Sequence, residues 1–236
     1  MMMKKQCLVI ITLLILAAAA TPQTAAPDGR TVLRETFKRW TFQNVFNPFK
    51  SMRCEIRFTC LSLQLLQAWK SVETDQALLP RIDALINAMQ QERIVVYLVE
   101  IDPGQSNLYT MDMKKIKGRT KLYLMDKSSG YKPNRVTPNL EQKLKSTQRY
   151  YGAMAFKVKT QEVVFQNISM ETYFTAFDFL EGKDLKDEKA YTAQFNFHAN
   201  GAPEADQPTQ IPDSAEIAGR LKGALSLVSL VTKKTL

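Results

Sequence analysis

The chain has 236 residues, with 32 Lys plus Arg against 23 Asp plus Glu and a net charge of +9. Hydrophobic residues make up 45% and charged residues 23%, ordinary values for a chain that buries a core. These figures exclude a wholly disordered chain, a collagen-like chain, a long coiled coil and a disulfide-dense miniprotein, but they name no function.

Met1 to Lys5 carries two lysines, and Cys7 to Ala20 is an apolar run ending in small residues. A positive start, a short apolar core and an Ala-x-Ala site at Ala18 and Ala20 predict an export signal over residues 1–20, cleaved after Ala20. Retention of the segment as an anchor is the alternative. The run is shorter than a membrane span requires. Cleavage removes Lys4 and Lys5, so the mature chain carries +7 and belongs in the periplasm or outside the cell.

Two cysteines then remain, Cys54 and Cys60. Export permits a bridge between them. Six residues of strand span about 20 Å, whereas bridged Cα atoms lie about 4.4–6.8 Å apart. A bridge therefore needs a chain reversal within Glu55–Thr59, which has no Gly or Pro. The other reading is two small buried thiols.

Residues 21–93 read as a helical N-terminal part. Leu33, Phe37 and Trp40 follow helical spacing, and Phe42, Val45, Phe46 and Phe49 extend the series to a break at Asn47-Pro48. Leu61, Leu65, Ala68 and Trp69 mark a second helix. Ile82, Leu85, Ile86 and Met89 mark a third, with Pro80 in its first turn.

At Ile94 the period changes. Residues 94–198 read as an antiparallel β-sandwich. Ile94 to Ile101 is a β-branched run closed by Asp102-Pro103-Gly104. Tyr109, Met111 and Met113 alternate, and Leu122 and Leu124 resume the alternation beyond Gly118, which predicts a hairpin around that glycine. Met154, Phe156 and Val158, then Tyr173 to Phe179, then Tyr191 to Phe197 supply further strands. Residues 140–150 hold a short helix or a long loop. Residues 199–213, rich in Pro, read as a linker. Residues 214–236 read as a helix that packs back on the rest, opened by Asp213 and Glu216 and striped by Ile217, Leu221, Ala224, Leu225 and Val228. The fold class expected is α+β.

Three segments carry a family likeness: Lys121 to Asp126, Ser129 to Pro133, and Tyr151 to Val158. Together they resemble the strand–turn–strand rhythm of immunoglobulin-like modules in bacterial secreted proteins and lipoproteins. The resemblance implies a β-sandwich and a protein-interaction role, with no catalytic residues to carry over.

The catalytic inventory is thin. The one histidine, His198, falls on the polar face of its strand, and neither a Ser-His-Asp set nor a metal-binding spacing can be built. No cofactor is implied. The acidic group Asp178, Glu181, Asp184, Asp187 and Glu188 reads as a solvated turn, since lysines at 183, 186 and 189 interrupt it.

Charge is unevenly placed. Residues 111–160 hold 13 basic and 3 acidic groups, a balance of +10, and residues 161–220 hold 4 and 11, a balance of −7. Lys114, Lys115, Lys117, Arg119 and Lys121 surround Gly118. A basic hairpin tip suits an anionic envelope component or protein partner. It equally suits edge protection, or neutralisation by acids of the same chain. Export argues against nucleic acid. The Phe37, Trp40, Phe42, Phe46 and Phe49 series suits peripheral membrane contact or, more simply, internal packing.

The leading expectation is a non-enzymatic envelope or periplasmic interaction module using the basic hairpin. The alternative is a carrier of an apolar ligand, or a carboxylate-based hydrolase, with a cleft between helices and sheet.

Overall fold

The computed structural model describes residues 27–49, 52–91, 93–104, 109–124, 130–145, 147–159, 166–176 and 188–232. The signal segment, Val163 to Phe165 and the acidic turn from Asp178 to Asp187 lie outside these residues. The protein is α+β, with antiparallel sheets and helices.

The chain opens on helix α1 (Gly29–Arg39), which buries Leu33 and Phe37 one turn apart and ends on Lys38 and Arg39, where cations suit the dipole. It continues into strands β1 (Thr41–Phe49) and β2 (Met52–Cys60), where helix was expected. The misreading has a simple cause. Phe42 and Phe46 are four residues apart, a spacing that shares one face in a helix and in a strand alike. Val45 separates the two cases: a helix would bury it beside Phe42, whereas the strand turns it outward, 40% exposed. On β2, Cys54, Ile56, Phe58 and Cys60 are all buried, and Glu55 and Arg57 face the other side. There is no reversal between the cysteines, and strand rise keeps them about 20 Å apart, so no bridge joins them.

Helices α2 (Leu63–Val72) and α3 (Leu79–Gln91) lie where apolar spacing places them. Ser62 caps α2, accepting the Leu65 N–H at 3.1 Å. Strand β3 (Ile94–Asp102) is buried on both faces, which is why its sequence runs apolar rather than alternating. Strand β4 (Tyr109–Asp112) leads into helix α4 (Met113–Arg119). The expected hairpin at Gly118 is therefore a helical turn. Asp112 caps it through the Lys114 N–H at 3.1 Å, and Met113 and Ile116, three residues apart, are buried beneath it. Strand β5 (Lys121–Leu124) follows.

The remaining strands are β6 (Arg135–Val136), β7 (Lys143–Lys145), β8 (Tyr150–Lys157), β9 (Gln166–Ala176) and β10 (Glu188–Phe197). A 3₁₀ turn (Pro138–Glu141) precedes β7. The closing helix is α5 (Ser214–Thr232), whose Glu216 N–H is capped by Asp213 at 2.8 Å.

One sheet has the order β1-β2-β3-β8-β6, so the strands of 41–60 extend the sheet that β3 begins, across the boundary expected at residue 93. The other has the order β10-β9-β4-β7, with β5 paired to β9. A large core cluster lies between the two sheets. Phe195 of β10 meets Phe58 of β2 at 4.4 Å and Phe42 of β1 at 5.4 Å between ring centroids, and Phe197 meets Tyr97 at 5.6 Å. A second cluster covers the opposite face of the first sheet. There Ile94, Val96, Leu98, Ala153 and Ala155 meet the helices, including Ile217, Leu221, Ala224 and Leu225 of α5. The helix α5 thus packs back, as expected. The Pro-rich segment before it is docked rather than loose. The Ala202 N–H donates to the Arg39 carbonyl at 2.8 Å, and Gly201 has φ +115°, with room for no side chain beside that carbonyl.

Because Phe195 is fully buried between the sheets, Phe195→Ala should cost about 3–5 kcal/mol. The thermal midpoint measured by circular dichroism should fall by roughly 6–20 °C, whereas Val45→Ala on the exposed face should leave it nearly unchanged.

Candidate functional site

The helix layer covers only part of the first sheet. Beyond Leu98 the helix-facing side of β3 carries Glu100 and Asp102, and register brings Arg57 beside Glu100, Glu55 beside Asp102 and Tyr151 beside Glu100. Alternation explains why all of these share a face. Glu100 is 7% exposed inside an otherwise apolar strand. Three arginines answer it. Arg220 of α5 lies 2.6 Å away, Arg57 3.6 Å and Arg149 3.7 Å.

The branches of this network have their own partners. Arg57 reaches Glu55 at 2.5 Å, and Arg149 reaches Asp102 at 2.6 Å. Burial raises the Glu100 carboxyl above its usual range, against the pull of Arg220, Arg57 and Arg149. Asp102 is also pushed upward by burial, but the Arg149 hydrogen bond and the Gly104 N–H outweigh this and hold it below its usual range. The same Asp102 bond raises Arg149 further into the charged range.

Arg220 is the hinge between sheet and helix. One of its terminal nitrogens donates to Glu100, and the other donates to Glu216 at 2.5 Å, one turn earlier on α5. The guanidinium carbon stands 4.8 Å over the Tyr151 ring, a stacking contact suited to a planar cation.

Beside this group lies a cavity of about 570 Å³ between α5, the first sheet and the 3₁₀ turn. Phe37, Leu98 and Pro138 form apolar wall, Gly219 and Gly223 form the α5 side, and Glu100, Tyr151, Glu216 and Arg220 stand at its polar edge. Gly152 lets the 3₁₀ turn approach β8: a Cβ there would meet Leu140 Cγ at 2.5 Å and Thr137 Oγ1 at 2.6 Å. The two α5 glycines are different, since a Cβ at either would have nothing within 4 Å.

The basic residues singled out from sequence are not at this cavity. Lys114, Lys115, Lys117 and Arg119 lie on α4, where 100° steps send them in different directions. Lys117 pairs with Glu141 at 2.5 Å, and its hydrogen bond lowers that carboxyl. Arg119 pairs with Glu171 at 2.7 Å. Lys121 stands exposed on β5, its stem beside Gly130. His198 is exposed at the end of β10. Among the described residues there is no group of three or more His, Cys, Asp or Glu suited to a metal, and no helix long and apolar enough to cross a membrane.

Sequence reasoning missed Glu100, Tyr151, Arg220 and the Gly219–Gly223 pair. Two signals were present: a lone charge inside a β-branched run, and two glycines four apart in a helix. No known family model matches the chain, and no curated protein matches it either.

Asp102 contributes stability above the unfolded carboxyl value of about 3.9 and loses it as pH falls through the lowered folded value. Asp102→Asn should therefore lower stability at pH 7 by about 0.5 kcal/mol, solvent screening included. Urea midpoints of the two proteins should converge as pH falls below the carboxyl range.

Proposed function

We propose that this protein is a non-enzymatic carrier that holds a small, largely apolar ligand between α5 and the first sheet. The cavity carries the reading. Its volume of about 570 Å³ falls in the range of about 300–1,000 Å³ typical of small-molecule sites. It combines apolar wall with a few convergent polar groups, as such sites do. The carboxylates at its edge, Glu100 and Glu216, are both engaged by Arg220, so a hydrolytic pair has less support than binding.

The working compartment in this proposal is the periplasm or the exterior, reached through the signal ending near Ala20. The two sheets facing across the aromatic cluster are read as a sandwich, in keeping with the immunoglobulin-like rhythm noted above. An envelope role for the basic α4 segment ranks second, because Lys117 and Arg119 already meet Glu141 and Glu171.

Gly219 and Gly223 line the cavity and a Cβ at either meets nothing within 4 Å, so replacing both by Leu should narrow the cavity without a clash at Cβ. Each change should also favour the helix by somewhat under 1 kcal/mol. The expected outcome is a folded protein, at least as heat-resistant as the wild type, that no longer enhances the fluorescence of the neutral probe N-phenyl-1-naphthylamine. Equal enhancement by both proteins, or none by the wild type, would refute the carrier reading.

A further inference from the structure

Six side chains form a line of alternating charge that runs from β2 to the cavity. Arg53 meets Glu55 at 3.1 Å, Glu55 meets Arg57 at 2.5 Å, and Arg57 meets Glu100 at 3.6 Å. Glu100 meets Arg220 at 2.6 Å, and Arg220 meets Glu216 at 2.5 Å. Arg149 and Asp102 add a neutral pair beside Glu100. Within the line every charge except the two at its ends has an opposite charge on either side. The far end is a cation, Arg53, whose side chain is 64% exposed. The end at the cavity is an anion, Glu216, whose side chain is 51% exposed. Arg220 engages it through Oε1 alone, and among the described residues no second cation reaches it.

The cavity thus presents an unbalanced negative charge. Its lining sets Glu100 and Glu216 against Arg220, a formal balance of −1. The Arg220 guanidinium offers little to an anion, because the side chain is 9% exposed and is held by both carboxylates and the Tyr151 ring. The start of α5 brings a partial positive charge, but Asp213 already answers it by accepting the Glu216 N–H at 2.8 Å. An anionic head at this edge meets Glu216 as a like charge. A neutral head leaves the line ending on an anion. A cationic head continues the alternation, and it does so where the carboxylate is still half in water, so no charge is buried alone.

We propose that the cavity takes amphipathic amines: the apolar chain lies between α5 and the first sheet, and the protonated amino head pairs with the Glu216 carboxylate. This deepens the carrier proposal and rests on it.

Displacement of N-phenyl-1-naphthylamine from the wild-type protein by decylammonium, decanol and decanoate at neutral pH tests both statements. These probes share one chain and differ in the head. Decylammonium should bind about fivefold more tightly than decanol, the upper end for a half-exposed ion pair, and decanoate should bind most weakly. Nonspecific attraction works the other way, because the chain as a whole carries net positive charge. Added sodium chloride should weaken decylammonium binding and leave decanol binding without such a loss. Glu216→Gln keeps an oxygen that can accept from Arg220 and removes only the charge. It should bring decylammonium down to the level of decanol, with circular dichroism as the check that it folds. The wild-type ranking and its salt dependence stand without that variant. If decanol or decanoate binds as tightly as decylammonium, if salt leaves decylammonium binding unchanged, or if folded Glu216→Gln keeps the preference, the inference is overturned and the carrier reading survives. If neither the dye nor any decyl compound binds, both fail.

Discussion

Glu100 stands in the central strand of the first sheet at the point where the apolar cover of the helices ends, and its charge must be answered there. Removing a carboxylate from water costs several kcal/mol unless partners replace the lost solvation. Arg220 does so from α5, Arg57 from β2 and Arg149 from the turn just before β8. The contact with Arg220 ties α5 to β3, and this tie bounds the cavity. Breaking one side of such a pair costs about 3–5 kcal/mol, because the other charge is left buried. The geometry of the cavity's polar edge therefore follows from an electrostatic requirement of the sheet.

The same strand explains the layering. β3 has apolar side chains on both faces, so it needs cover on both. Val95, Tyr97, Val99 and Ile101 face the aromatic cluster shared with the second sheet. Ile94, Val96 and Leu98 face the helices. Within the aromatic cluster Tyr97 is fully buried, and burial, then the neighbouring Cys60, raises its hydroxyl well above the ordinary value. The cysteines act here as small packing groups on β2, in keeping with their positions on one extended strand.

The charge pattern looks different in three dimensions. The positive block around residue 118 suggested a single tip aimed at a partner. The helix α4 spreads those cations around its axis, and acids from the 3₁₀ turn and β9 answer two of them. The cluster with the greater consequence is at the helix–sheet junction, assembled from residues at 55, 57, 100, 102, 149, 216 and 220. None of these is prominent in a count by segments.

The sequence by itself determined the elements whose period is unambiguous: α2, α3, the β3 run, the alternation of β10 and the capped stripe of α5. It also marked the change from helix to strand near residue 94. It was ambiguous at Phe42 and Phe46, because a spacing of four fits both periods and only sheet pairing decides between them. It misplaced a turn at Gly118, because the burial of Ile116 under a capped helical turn depends on a surface supplied by distant strands. The cavity and the Arg220 cluster were decided by tertiary structure alone. Residues more than a hundred positions apart must meet before Glu100 gains its partners or Arg220 Nε–H becomes a buried donor, and local patterning carries no record of that meeting.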